Sequence, residues 1–346
     1  MTATARFRAL STAFAAALFA ILVDSASAQQ ADPPFKGKTI NFYIGFGPGG
    51  TYDYYARLIA RFIGRYIPGN PTVVAQAMPG AGSLQLANFL FAQAPRDGTA
   101  MGTVTQTVAL GEALHSPGVR YKAAEFSWIG RATAILEIAI LRGSSRVKTI
   151  EDATKYEVPV AGTGAGSPSE GYPKLMNALA GTRFRLISGY TSSTRSMLAL
   201  EAGEVEGAFT SWNTLRWTKQ NWLRNNFVNI LYQCALARHP DLPNVPTDVE
   251  LAQTEEGRQV MAFYTSSAAI GRSILAPPGI PAERLNLLRR AFDATIKDPE
   301  FLAEIERGQQ EFQPASGEEL QKLIGDVASA PRGIVERTEA ILRGGR

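Results

Sequence analysis

Apolar and polar residues alternate through 39–44, then shift to helical spacing, with Ala56, Ile59, Ala60 and Ile63 on one face. A glycine-rich turn, 45–50, separates the two patterns, so the first unit reads strand, loop, helix. The unit recurs as a strand at 71–77, a loop at 79–83, a helix at 84–92 and, after the Asp97-Gly98 turn, a strand at 100–105. A second set begins near Tyr156: strand 158–161, glycine loop 162–167, helix 170–180, strand 184–187, helix 193–202, strand 207–210 and strand 228–232. Such alternation predicts parallel sheets with helices on their faces.

The rest of the pattern is mainly helical. Pro240, Pro243 and Pro246 mark a crossing. A helix at 255–263 and a strand at 268–276 follow, then helices at 282–296, 299–307, 318–327 and 333–342, and this tail is expected to pack back on the first lobe.

Ahead of this body, Arg6 and Arg8 precede an apolar run at 9–23, and Ala26-Ser27-Ala28 supplies small residues where a signal peptidase cuts. Residues 1–28 therefore read as a signal peptide cleaved after Ala28, which gives an exported, periplasmic protein. The run is too short to span a bilayer comfortably.

Composition narrows the chemistry. Of 346 residues, 45% are hydrophobic and 19% charged, which suits a folded chain with more than one core. The 35 basic and 31 acidic residues nearly balance and form no basic stripe, so nucleic acid is not an expected partner. One cysteine, Cys234, and two histidines, His115 and His239, cannot assemble a Cys/His zinc site or an intramolecular disulfide. Cys234 is expected as a free buried thiol, and both histidines as loop residues beside prolines. No cofactor and no metal are expected.

The candidate chemistry sits in three glycine-rich loops. Gly45-Phe46-Gly47-Pro48-Gly49-Gly50 matches the dinucleotide fingerprint, but no Asp or Glu ends the second strand, and Pro48 removes a backbone donor. No Gly-Lys-Ser/Thr completes a P-loop. What remains is that the loops 47–51, 80–83 and 162–167 each open a helix after a strand, where exposed amides and the helix dipole attract anions. The same glycines also serve as plain βα turns, with Thr51 and Ser83 as N-caps. Asp53 lies in a first helical turn, Tyr52 is placed to wall a cleft, and Arg195 can pair with a ligand carboxylate.

The run 44–57, with Gly-Pro-Gly-Gly-Thr-Tyr-Asp followed by Ala56-Arg57, resembles the first-loop signature of the receptor proteins of tripartite tricarboxylate transporters, the Bug family. Pro79-Gly80-Ala81-Gly82, the turn 94–99, Gly162-Thr163, the crossing 242–247 and the segment 276–281 resemble further blocks of that family, in order. The resemblance implies an α/β fold of the type 2 periplasmic binding protein class, with two α/β lobes, a hinge and an interlobe cleft. Lobe 1 takes residues 36–138 and 266–346, and lobe 2 takes 139–265, with closure about crossings near Ala139 and Ser266.

It further implies capture of a small organic carboxylate, without catalysis, for membrane transporter subunits or a sensor; a monomer is expected. The expected ligand-binding residues are Gly49, Gly50, Thr51, Tyr52 and Asp53 in the first loop, Gly80, Ala81, Gly82 and Ser83 in the second, Thr105 after the third strand, and Thr163, Ser167, Tyr190 and Arg195 from the second lobe. Tyr52 and the stretch 186–190 depart from the family pattern. The rival reading is an exported hydrolase using Ser167 or Asp53 in the same cleft, and a third is a structural module with no ligand.

Overall fold

The computed structural model describes residues 33–344, so the expected signal peptide, 1–28, lies outside the described residues. Within that span the strands form two sheets. The first contains β1 (Thr39–Ile44), β2 (Thr72–Ala77), β3 (Ala100–Thr103) and β4 (Ser127–Arg131). The second contains β5 (Glu137–Arg142), β6 (Val158–Gly162), β7 (Phe184–Ser188), β8 (Gly207–Ser211) and β9 (Val228–Cys234). The chain then returns to the first sheet as β10 (Ser273–Ala276) and β11 (Ala315–Ser316). Strand order is β11-β4-β10-β3-β1-β2 in the first sheet and β7-β6-β8-β5-β9 in the second.

β1 runs parallel to β2 and β3, and β6 parallel to β7 and β8, as the strand-loop-helix pattern predicts. β5 and β10 are antiparallel to their neighbours, because each enters its sheet directly from a crossing. In β1, Ile40, Phe42 and Ile44 are buried against α1 (Thr51–Ile63), whose Ala56, Ile59, Ala60 and Ile63 complete the same core. The other helices that matter below are α2 (Leu84–Ala92), α3 (Val108–Ala113), α4 (Pro168–Leu179), α5 (Ser193–Ala202), α6 (Trp212–Thr218) and α7 (Glu255–Ser266).

The crossings do not fall at both expected places. Ala139 is a mid-strand residue of β5, paired with Phe209 and Tyr232, so the first crossing runs through 132–136. Its partner runs through 267–272, and the two are hydrogen-bonded side by side: Ala132 N–H to Arg272 O (3.0 Å), Arg272 N–H to Thr133 O (2.8 Å) and Ile135 N–H to Ala268 O (3.1 Å). Only 273–276 of the expected strand 268–276 is strand. Gly271 turns the chain at φ +58°, and a Cβ there would lie 2.0 Å from Thr133 O, so the close pairing of the crossings requires glycine.

The helical tail divides. α8 (Ala282–Thr295) and α9 (Gly317–Ala328) cover β4, whereas α10 (Arg332–Leu342) packs on α4 and α7, not on the first sheet where the tail was expected. Ile334, Val335, Ile341 and Leu342 find their apolar partners there, in the cluster holding Tyr172, Met176, Val260 and Met261. Cys234 is buried and free.

Candidate functional site

The lobes touch through their loops. Gly47 N–H donates to Thr191 O (3.0 Å), the Thr194 hydroxyl to Gly49 O (2.8 Å) and the Thr107 hydroxyl to Gly166 O (2.5 Å), while the Thr51 and Thr214 hydroxyls share a hydrogen bond of 3.0 Å. Between these contacts Gly82 meets the backbone of 164–167: a Cβ on Gly82 would come within 2.9 Å of Ser167 N, and one on Gly164 within 2.7 Å of Gly82 N. This backbone-on-backbone approach leaves two cavities between the lobes, one of about 50 Å³ and one of about 200 Å³.

Charge converges on the smaller cavity. The amino-terminal residues of α1 (Gly50, Thr51) border it from the first lobe, and those of α4 (Pro168, Ser169) and α5 (Ser192, Ser193) from the second. Helix amino termini present unpaired N–H groups and positive dipole ends, so three of them facing one hollow favour an anion. Arg272, delivered by the return crossing, is 4% exposed. Its Nε and Nη2 both donate to Thr51 Oγ1, the former at 3.1 Å, and Nη2 also donates to Ser211 Oγ at 3.0 Å.

The guanidinium lies 4.1 Å from the centroid of the Tyr52 ring, which in turn stacks on Phe46 at 4.5 Å. Arg272 Nη1 is buried with no hydrogen-bond partner among the described residues, as is Thr210 Oγ1. Unpaired buried polar groups cost about 1–3 kcal/mol each, so two on the walls of one cavity point to a polar guest that satisfies them.

Glu137, the first residue of β5, also borders this cavity. Burial pushes its carboxyl up to about 7, against the opposing pull of Arg272. Near neutral pH the site therefore holds a full positive charge and a carboxyl close to its titration point.

The expected residues separate into groups. Gly50, Thr51, Tyr52 and Thr163 border the smaller cavity, and Tyr52 is its aromatic wall. Gly49 and Asp53 stand behind it: Asp53 accepts from Gly49 N–H (3.2 Å) and Arg57 Nε (2.7 Å), so its carboxylate holds the loop in place. Ala81, Gly82, Ser83, Thr105 and Ser167 line the larger cavity. Ala81 and Ser83 sit at φ +47° and +74°, backbone strain of order 1 kcal/mol each, and Ser83 Oγ accepts from Thr105 N–H at 2.7 Å. Gly80, Tyr190 and Arg195 line neither cavity; the Tyr190 hydroxyl donates to Glu204 at 3.5 Å and Arg195 is exposed.

Several loop amides expected to face a ligand already have partners. Gly47 N–H donates to Thr191 O, Gly49 N–H to Asp53, Gly164 N–H to Glu170 (3.0 Å) and Thr163 N–H to Ser169 Oγ (3.0 Å). The anion-directed chemistry thus falls on the helix starts and on Arg272. Sequence reasoning missed Arg272 and Glu137, although a signal exists: each is the lone charge in an apolar run, Glu137 in 132–141 and Arg272 in 267–276.

For the hydrolase reading, the residues are elsewhere engaged. Ser167 Oγ shares a hydrogen bond with Ser169 Oγ (3.0 Å), exposed His115 lies 3.7 Å from Glu339, and His239 Nδ1 accepts from Asp241 N–H. Among the described residues no group of three or more His, Cys, Asp or Glu side chains could hold a metal, and no helix is long and apolar enough to cross a membrane.

Two α/β lobes joined by paired crossings, with helix amino termini facing an interlobe hollow, define the type 2 periplasmic binding protein fold. The model of the tripartite tricarboxylate transporter family receptor matches residues 59–339, and the chain belongs to that family. The match begins inside α1, so the first glycine loop precedes it.

In sequence the chain is 26% identical over 290 residues to the UPF0065 protein in the tcbD–tcbE intergenic region of Pseudomonas sp. (strain P51), covering 82% of this chain and 81% of that protein. In structure it is similar to the periplasmic binding protein BugD, with a TM-score of 0.68 and 20% identity over 88% of this chain and 97% of that one. It is similar also to MatC (Rpa3494) from Rhodopseudomonas palustris with bound malate, with a TM-score of 0.67 and 20% identity over 88% of this chain and 98% of that one.

Proposed function

We propose that this protein captures a small dicarboxylate of the malate type in the cavity at Arg272, outside the cytoplasm, and hands it unaltered to membrane transporter subunits or a sensor. In this reading the signal peptide 1–28 is removed after Ala28, the two lobes divide at the crossings 132–136 and 267–272, and the protein works as a monomer. The single observation that carries the proposal is buried Arg272, its Nη1 without a hydrogen-bond partner among the described residues, on the wall of a hollow bordered by three helix amino termini.

The mechanism follows from where the groups reside. Arg272 bonds Thr51 from the first lobe and Ser211 from the second, so a carboxylate at its free edge completes a junction that exists only when the lobes meet. Differential contact then shifts the population toward the closed state, with the paired crossings 132–136 and 267–272 as the flexing element. The helix starts supply partial positive charge that is already oriented, so little reorganisation accompanies binding.

Thermal melting with malate and with longer di- and tricarboxylates tests this. Ligand at about a hundredfold excess over its dissociation constant adds about 2.7 kcal/mol, roughly 5 to 10 °C in melting temperature. No shift with any of these acids, alongside a clear shift with a sugar or an inorganic cation, overturns the proposal. Malate recovered chemically unchanged after long incubation supports the receptor reading over the hydrolase; conversion to a product refutes it.

A further inference from the structure

The larger cavity has a different chemistry from the site at Arg272. Its walls are chiefly apolar: Leu84 and Ala87 of α2, Leu110 of α3, Leu114 just beyond it, Tyr121, and Leu342 of α10. Protein interiors fill to near crystal density, and a cavity of about 200 Å³ forgoes contacts that its lining side chains would otherwise make. Such walls offer ordered water few of the two to four hydrogen-bond partners it needs, so an apolar guest is the natural filling.

Two cations, Lys174 and Arg343, border this hollow together with two acids, Glu170 and Glu339. Lys174, half-buried on α4, donates from Nζ to Leu342 O at 3.2 Å and forms no ion pair among the described residues. Of the acids on the same wall, Glu339 pairs with Arg343 at 2.6 Å, and Glu170, one helical turn before Lys174, accepts from Gly164 N–H at 3.0 Å. A hydrophobic chamber with an ammonium on its rim matches an amphipathic monoanion, the body desolvated and the head at the charge.

We propose that this cavity is a second ligand site, taking a medium-chain aliphatic monocarboxylate with its chain among Leu84, Leu110, Leu114 and Leu342 and its carboxylate at Lys174. Both lobes supply walls, since Lys174 belongs to the helix after β6 while Leu84 and Leu110 follow strands of the first sheet. The guest therefore bridges the lobes at a place distinct from Arg272, and the site stands whether or not malate binds the smaller cavity.

Titration calorimetry on the full mature chain with butyrate, hexanoate, octanoate and octanol tests this, together with the variants Lys174→Gln and Ala87→Phe. The expectation is saturable octanoate binding, tightening by roughly fourfold per added methylene, and about tenfold weaker binding of octanol. Lys174→Gln should cost octanoate about tenfold while leaving octanol unchanged, and Ala87→Phe should block both by filling the chamber. Lys174 is partly solvent-accessible, so its substitution keeps the test readable if Ala87→Phe fails to fold. Absence of saturable octanoate binding, equal affinity for octanoate and octanol, or an unaffected Lys174→Gln variant overturns the assignment.

Discussion

Arg272→Gln acts on both folding and binding, and the two effects are measured separately. In the ligand-free protein the substitution removes three hydrogen bonds from a charged donor, two to Thr51 and one to Ser211, worth about 1.5–3 kcal/mol each. It also removes a buried charge whose Nη1 has no partner, relieving a cost of about 1–3 kcal/mol. The bonds lost outweigh the cost relieved by roughly 2–8 kcal/mol, so the ligand-free melting temperature should fall by at least about 4 °C. The carboxylate of a bound ligand loses a charge-assisted hydrogen bond of about 1.5–3 kcal/mol, which weakens affinity roughly 10- to 150-fold. Calorimetric titration of malate into wild-type and variant protein, with melts of each alone, measures both quantities. Arg272→Lys should fall between them, since a single ammonium keeps the charge but loses the planar fork that reaches Thr51 and Ser211 together. Wild-type malate affinity in Arg272→Gln would refute the role given to the guanidinium.

The remaining predictions address the loops and the acid. Glu137 is raised from its ordinary 4.5 to about 7 by burial, so the folded state holds that proton more tightly than the unfolded state. Its contribution is then greatest below about pH 4.5, declines as pH rises toward 7 and levels off above, a total of about 3 kcal/mol. Denaturant titrations from pH 4 to 8 should show Glu137→Gln gaining on wild type as pH rises; a constant difference between the two would contradict this. Malate affinity should fall above pH 7 in wild type and stay level in Glu137→Gln, because the ionised carboxylate repels a dianion. Gly50 has extended backbone at φ −90°, ψ 171°, and its missing Cβ would lie 3.2 Å from Ser193 Oγ across the cleft. Gly50→Val should therefore remain folded by circular dichroism yet lose the malate-induced melting shift; unfolding would assign that glycine to architecture. Gly164→Ala combines φ +112° with a 2.7 Å approach to Gly82 N, so small-angle scattering should show a larger radius of gyration.

Local pattern accounts for much of the fold and less of the site. α1 is legible because its apolar residues recur at helical spacing, α5 because Ser192 caps its start, and β1 because its buried positions Ile40, Phe42 and Ile44 alternate. β4 and β5 escaped notice for the opposite reason: β5 is buried on both faces, Ile138 and Ile140 in one cluster and Ala139 and Leu141 in another, so no alternation remains. Asp53 looked like a ligand group because sequence shows that a carboxylate opens α1, not that Gly49 and Arg57 already occupy it. Arg195 looked available for the same reason, while the arginine that reaches the hollow arrives from a crossing read as ordinary strand.

The order of residues alone therefore determined the strand-loop-helix units, the glycine turns that open their helices, and the family to which those blocks belong. These depend on neighbours within a turn or two of the chain, where periodicity and φ preferences act. Tertiary structure decided which loops share a hollow, that the glycine loops divide it in two, and that Arg272 bonds Thr51 from 221 residues away. Contacts at that separation arise from how two sheets and their paired crossings pack against each other, and hydrophobic periodicity carries no record of it.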